Sequence, residues 1–329
     1  MENEDSNLNA RVRNLVYTCP VDHDGTSVFV KGWLIPGASS NPIVLVHDIG
    51  ETVESLEPFA MSLATAGYSV YGFDMRGHGQ SDQKLGRALN FKQLTSDLLQ
   101  VVAWVKHKES GKKPIVIAQG IGALVSLFFA RGYGKISDAM VFASPIFSLS
   151  ENITPFRRFI LKSLADFFPS MNLPHSLCPT FTHMTDKRNP EKRRSSKSSI
   201  KISAQFAYEL LNAISQSRKL FQRHRLKSLI LCPKEDQVCK YEFLKRQILK
   251  HQFNKDLCLK FIESSQHRIL SSDHDSIEQS SYEIKQWLNQ RSKPAPETSQ
   301  NTKDTQEKKP PVKSNRDAEN GTEASHQHI

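Results

Sequence analysis

The chain has 329 residues, of which 38% are apolar and 24% charged, with a formal net charge of +10 at pH 7; this size predicts one α/β-sized domain plus an appendage. No apolar run approaches the ~18 residues that a membrane span requires, and the acidic start MENEDSN has no apolar segment behind it, so neither a span nor a secretory signal is expected. Five cysteines (Cys19, Cys178, Cys232, Cys239, Cys258) are an odd number without a CxxC pair, which fits reduced thiols in the cytoplasm better than a disulfide framework or a zinc ribbon, and no metal site is expected.

Residues 1–8 read as a flexible N-terminus, and the folded domain is expected over 9–290. Phe29–Leu34 is aromatic-rich, follows the turn signal Asp24-Gly25 and predicts a strand. Pro42–His47, Tyr68–Phe73, Pro114–Ala118, Ala139–Phe142 and Ser228–Cys232 are short apolar runs of the kind that form buried parallel strands, and Leu257–Ile262 is the last candidate strand. Between them lie helical periods at Leu56–Ala66, Phe91–Lys106, Ile121–Arg131, Tyr241–Lys250 and Ile277–Leu288. Strands alternating with helices predict a mostly parallel sheet covered by helices on both faces.

The alternation breaks over about 146–226, where Phe156–Phe168 and Ala204–Leu220 have helical periods and no good strand occurs. A helical insert at that point is expected to cap the strand ends, where open α/β sheets bind ligands. The insert also holds the charge: from Glu151 to Lys227 there are 15 Lys/Arg against 5 Asp/Glu, a surplus equal to that of the whole chain. Its densest part, Asp186–Ser199 (DKRNPEKRRSSKSS), reads either as a solvated loop or as a patch for an anionic membrane surface. No nucleic-acid motif accompanies it, so no nucleic-acid partner is expected. Residues 291–329 are polar and lack aromatic residues, and they predict a disordered tail.

Three signatures carry the chemistry. Val46-His47-Asp48-Ile49-Gly50 follows one strand, Gly72–Asp82 (GFDMRGHGQSD) follows the next, and Ile117-Ala118-Gln119-Gly120-Ile121-Gly122-Ala123 runs from a strand into a helix through small residues. With these the chain resembles the α/β-hydrolase family, and within it the monoacylglycerol lipase and lysophospholipase-like serine hydrolases. The resemblance runs from about Asp24-Gly25 to Trp287, weakens in the insert, and implies an α/β-hydrolase fold with a helical cap, no cofactor, and an ancestral ester-hydrolase activity.

In that family the third signature is G-x-S-x-G, whose serine stands on a strained strand-to-helix turn and needs small neighbours. Ala118 and Gly122 supply the neighbours, but Gly120 holds the serine's place: it tolerates the backbone and provides no oxygen. The resemblance further implies Asp236, in the loop after the strand SLILC, as the orienting carboxylate and His267 as the general base. It assigns the oxyanion hole to the amides of Ile121 and Ile49, with Asp48 standing where the family has a glycine. A carboxylate at that place opposes developing negative charge unless it is protonated or turned away. Ser126, Ser144 and Cys232 read as packing residues rather than replacement nucleophiles.

Whether the chain is an enzyme therefore stays open. The first reading is a catalytically impaired pseudo-hydrolase that binds a lipid-like ester or small acyl ligand, or a protein, in the cytoplasm or peripherally at a membrane through the basic cap. The alternative is an atypical carboxylic-ester hydrolase in which the His267–Asp236 dyad activates a water held in the space left at Gly120.

Overall fold

The computed structural model describes residues 11–21, 25–81, 91–149, 153–173, 202–236, 238–239, 241–250 and 256–292. The expected flexible start (1–8), the basic stretch Asp186–Ser199 and the expected tail beyond Ser292 lie outside them. The strands are β1 (Arg13–Val21), β2 (Thr26–Leu34), β3 (Ile43–Val46), β4 (Val70–Phe73), β5 (Ile115–Gln119), β6 (Ala139–Ala143), β7 (Ser228–Pro233) and β8 (Leu257–Ile262). The α-helices are α1 (Glu57–Thr65), α2 (Phe91–Lys108), α3 (Ile121–Tyr133), α4 (Pro155–Phe167), α5 (Ala204–Gln222), α6 (Tyr241–Lys250) and α7 (His274–Ser292).

The strands form one sheet in the order β1-β2-β4-β3-β5-β6-β7-β8. β2 runs antiparallel to both of its neighbours, and β4 through β8 are parallel. The period-2 pleat sorts the apolar runs onto two faces. Val44, Val46, Val116, Ala118, Phe142 and Ile230 point into a core shared with α2, α3 and α5, while Ile43, Leu45, Ile117, Val141 and Leu231 point into one shared with α1 and α7. Near-continuous apolar runs are what burial on both faces requires.

β1 is a strand that the hydrophobic pattern does not reveal. It lies at the sheet edge, paired only through β2, with Leu15 and Val16 exposed. Only its second half reaches the core, through Tyr17, Cys19 and Val21, and the whole strand is held by backbone pairing over nine residue pairs.

From β3 the chain crosses to β4 on one side and then returns past β3 to β5 on the other. This reversal makes the carboxyl ends of β3 and β5 a topological switch point, the usual place for a ligand crevice. The His47-Asp48 and Gly120 turns leave those two ends.

The 146–226 insert is helical in its described part, with α4 capped by Thr154 Oγ1, which accepts from Arg157 N at 3.3 Å, and α5 capped by Ser203 Oγ, which accepts from Phe206 N at 3.2 Å. α5 buries Phe206, Leu210, Leu220 and Phe221 in the core shared with α3. It is tied at both ends: Glu209 accepts from the Phe91 amide at 2.6 Å and Ser217 Oγ donates to Phe147 O at 3.1 Å.

Candidate functional site

The turn between β5 and α3 carries Gly120 at φ +59 and ψ −121, a left-handed conformation that L-side chains rarely adopt. Its neighbourhood is as tight as the motif implies. A β-carbon on Gly122 would lie 2.5 Å from the His47 carbonyl oxygen and 2.9 Å from Val46 O, so the helix start packs directly onto the end of β3. Ala118 is fully buried.

The space beside Gly120 is not open. A β-carbon built there would collide with the Asp48 carboxyl group; even the farthest of its three atoms, Oδ2, would be 2.8 Å away. Asp48 Oδ1 accepts from the Ile121 amide at 2.8 Å, one of the two amides that the resemblance assigns to an oxyanion. The carboxylate is thus turned into the site, contrary to the turned-away arrangement that a working hole would need. The space that a side chain at 120 would fill, where the water-based alternative holds its water, is taken by that carboxylate. The Arg268 side chain faces the same carboxylate, with Nε 3.4 Å from Oδ2, and donates through Nη2 to the carbonyl of Ile49 at 2.8 Å.

Opposite this turn, the loops after β7 and β8 bring Asp236 and His267 together. His267 Nδ1 lies 2.7 Å from Asp236 Oδ2, and both side chains are buried. Asp236 is well supplied with donors. Oδ1 accepts from the amides of Val238 at 2.7 Å and Cys239 at 3.3 Å, and Oδ2 accepts a short bond from the Tyr241 hydroxyl. Burial alone would raise the Asp236 pKa, but the facing imidazole and these donors hold it below the usual carboxylate range. For His267 burial opposes the charged form, yet the Asp236 carboxylate, and more weakly Asp48, raise its pKa above the ordinary value. The second ring nitrogen, Nε2, is buried without a hydrogen-bond partner.

Asp236, Cys239 and His267 could each offer a ligand atom to a metal, all within 4.8 Å of one another. Their chemistry is committed elsewhere: the carboxylate oxygens are already bonded, and burial pushes the Cys239 thiol pKa well up, away from the thiolate that binds metals. The packing readings of Ser126, Ser144 and Cys232 agree with their complete or near-complete burial.

A polar network beneath the turn escapes the sequence reading. Glu51 is buried and its Oε2 accepts from the Asp48 amide at 3.0 Å and from Gln119 Nε2 at 2.9 Å, while Oε1 accepts from the Ser271 hydroxyl. Gln119 Oε1 in turn accepts from the Leu270 amide at 2.7 Å. The loop bearing His267 is therefore bolted to the ends of β3 and β5. Gln119 stands inside a recognised signature, but nothing in its spacing distinguishes a buried strut from a spacer.

The GFDMRGHGQSD block proves to be scaffold. Asp74 accepts from the amides of Val53 at 2.7 Å and Gln80 at 2.8 Å, and the Arg76 guanidinium grips Asp97 through two bonds of 2.8 and 2.7 Å. His78 Nε2 accepts from Gly50 N at 2.9 Å and His47 Nε2 from Met75 N at 2.9 Å, so two neutral imidazoles lock the Asp48 loop to this block. Burial lowers both pKa values, that of His78 to about 4.

A mixed sheet of this order, with its turn at the end of β5 and an acid and a histidine on the loops after β7 and β8, defines the class of α/β-hydrolase-fold proteins. Residues 38–275 match the family model described as serine aminopeptidase, S33, and the chain belongs to that family. It is 25% identical over 281 residues to human monoglyceride lipase, covering 82% of this chain and 89% of the relative. It is 21% identical over 277 residues to a monoglyceride lipase homolog of monkeypox virus, covering 84% and 99%. Among solved structures, the monoacylglycerol lipase of Paleococcus ferrophilus superposes with a TM-score of 0.65 at 22% identity, covering 80% of this chain and 99% of that one. A soluble variant of the Saccharomyces cerevisiae monoglyceride lipase, in complex with a substrate analog, gives 0.66 at 15% identity, covering 86% and 96%.

Proposed function

We propose that the chain is a monoglyceride lipase-like protein that binds a lipid-like ester or acyl ligand without forming an acyl-enzyme. The observation that carries this reading is the Asp48 carboxylate seated against Gly120 and the Ile121 amide. An acyl-enzyme needs a side-chain nucleophile, and residue 120 has none. The tetrahedral intermediate needs donors aimed at an empty place for its oxygen, and a carboxylate already takes one of them. The ligand class follows from the relatives, whose names specify monoglycerides.

A second reading keeps one observation in its favour. The Asp236–His267 pair is assembled, and its Nε2 is unpaired as a base awaiting a proton would be. On that reading the chain hydrolyses esters slowly through an activated water. The seat of Asp48 works against it, because the carboxylate fills the place beside Gly120 and takes the Ile121 amide that the oxyanion would need.

The location proposed is cytoplasmic and peripheral at an anionic membrane surface. No helix among the described residues is long and apolar enough to cross a membrane. The cap helix α4 and the segment after it leave Phe156, Phe159, Phe167 and Phe168 exposed by 60–77%, with Arg157, Arg158 and Lys162 on the same helix. Aromatic rings beside cations suit the headgroup boundary of a bilayer.

The test pairs turnover of a long-chain monoacylglycerol and a lysophospholipid with binding of their non-hydrolysable ether analogues to the purified chain. Binding without turnover is expected. Turnover that disappears in His267→Ala would replace this reading with the second one.

A further inference from the structure

Gly120 and Asp48 depart from a working hydrolase site in ways that fit one another, and Arg268 packs against the Asp48 carboxylate. The carboxylate of Asp48 needs the volume that any side chain at position 120 would fill. It is fully buried, and its ion pair with Arg268 at 3.4 Å together with the Ile121 amide at 2.8 Å compensates that burial. Its own amide donates to Glu51 at 3.0 Å, which fixes the backbone from which the side chain projects. Among the described residues, His267, whose buried Nε2 has no partner, Glu51, 3.8 Å from Arg268, and the buried His47, His78 and Cys239 are the other titratable groups around this point.

We infer that Asp48 is a specificity-determining residue: its carboxylate is the resident anion of the site, so the site takes ligands with neutral head groups and turns away carboxylates and tetrahedral anions. This rests on the lipid-binding reading above. The positive features that would otherwise draw an anion are the first amide of α3, Arg268 and the histidine, and the amide and Arg268 are already engaged by Asp48. A second negative charge brought there meets like charge in a water-poor environment, where repulsion is strong. A neutral hydroxyl head has no such opposition and can offer either a donor or an acceptor to His267 Nε2.

The experiment compares decanol and decanoate as probes of the full chain at neutral pH, by titration calorimetry or amide shifts, in the wild type and in Asp48→Asn. The isosteric variant keeps the shape and removes the charge, leaving Arg268 without its Asp48 partner. The wild type is expected to prefer decanol, and Asp48→Asn to strengthen decanoate binding by about tenfold or more with little change for decanol. Unchanged decanoate affinity in Asp48→Asn, or equal binding of both probes by the wild type, would overturn the inference.

Should neither probe bind, the lipid reading fails, and the seat of Asp48 is decided by a measurement that needs no ligand. Gly120→Ala is made in the wild type and in an Asp48→Gly background, or Asp48→Ala if the glycine variant does not fold. The Tm loss is expected to be clearly larger with Asp48 present, since the backbone strain at φ +59 is common to both backgrounds. Equal losses would mean that the carboxylate does not occupy that space, and the inference would fall with it.

Discussion

At the scale of single residues, the His267–Asp236 pair makes the sharpest forecast. His267 has a raised pKa, so its contribution to stability is complete below the unfolded value of about 6.5 and fades as pH climbs through the folded value. Asp236 has a lowered pKa, so its contribution is present above about pH 4 and is lost as pH falls through the folded value. The stability gap between wild type and Asp236→Asn should therefore be widest between about pH 4 and pH 6.5 and shrink on going alkaline. Urea unfolding across that range measures it, and a gap that grows above neutrality would contradict the assigned pairing. NMR titration should also place the His267 pKa lower in Asp236→Asn than in the wild type. The sequence made Asp236, His267 and Gly120 visible because order and flanking strands mark them. Glu51 and Arg268 stayed hidden, since a charged residue in a loop is normally solvated and only the fold reveals these as enclosed.

At the scale of elements, the loop between β4 and α2 depends on the Arg76–Asp97 bond pair, both ends of which are only 1% exposed. Removing one partner takes both of these bonds from a buried charge, so Asp97→Ala should destabilise the chain by about 3–5 kcal/mol. A loss under about 1 kcal/mol, in the range of exposed ion pairs, would show that water reaches the site. The same loop seats His78 and Gly50, so the variant should also broaden the Ile121 and Asp48 amide resonances. The helix α4 yields a different forecast. Replacing Phe156, Phe159 and Phe167 together by serine should leave Tm nearly unchanged, because these rings are exposed, while sedimentation with anionic liposomes should fall. Binding that persists, or that does not respond to salt, would remove the membrane-surface proposal. The parallel strands and their helices were legible because double-sided burial writes long apolar runs. β1 was not, because an edge strand that buries only Cys19 and Val21 fully leaves little hydrophobic record.

At the scale of the whole molecule, the fold places four chain segments, after β3, β5, β7 and β8, at one end of a single sheet. Sequence order alone indicated which loops would meet there. It did not indicate that Asp48 would point inward, because a carboxylate beside a glycine turn can face either way until the packing of Arg268 and Glu51 is known. Family membership and fold thus came from pattern, whereas the state of the site came from side-chain geometry. The state of the site decides the function: residue 120 has no side chain to carry an acyl group, and burial keeps the Cys239 thiol near His267 from forming a thiolate. Intact-mass spectrometry after exposure of the purified chain to a long-chain fluorophosphonate tests this most directly. An unmodified mass is expected under conditions that label a monoglyceride lipase to completion. A stoichiometric adduct on any side chain, abolished by His267→Ala, would contradict it.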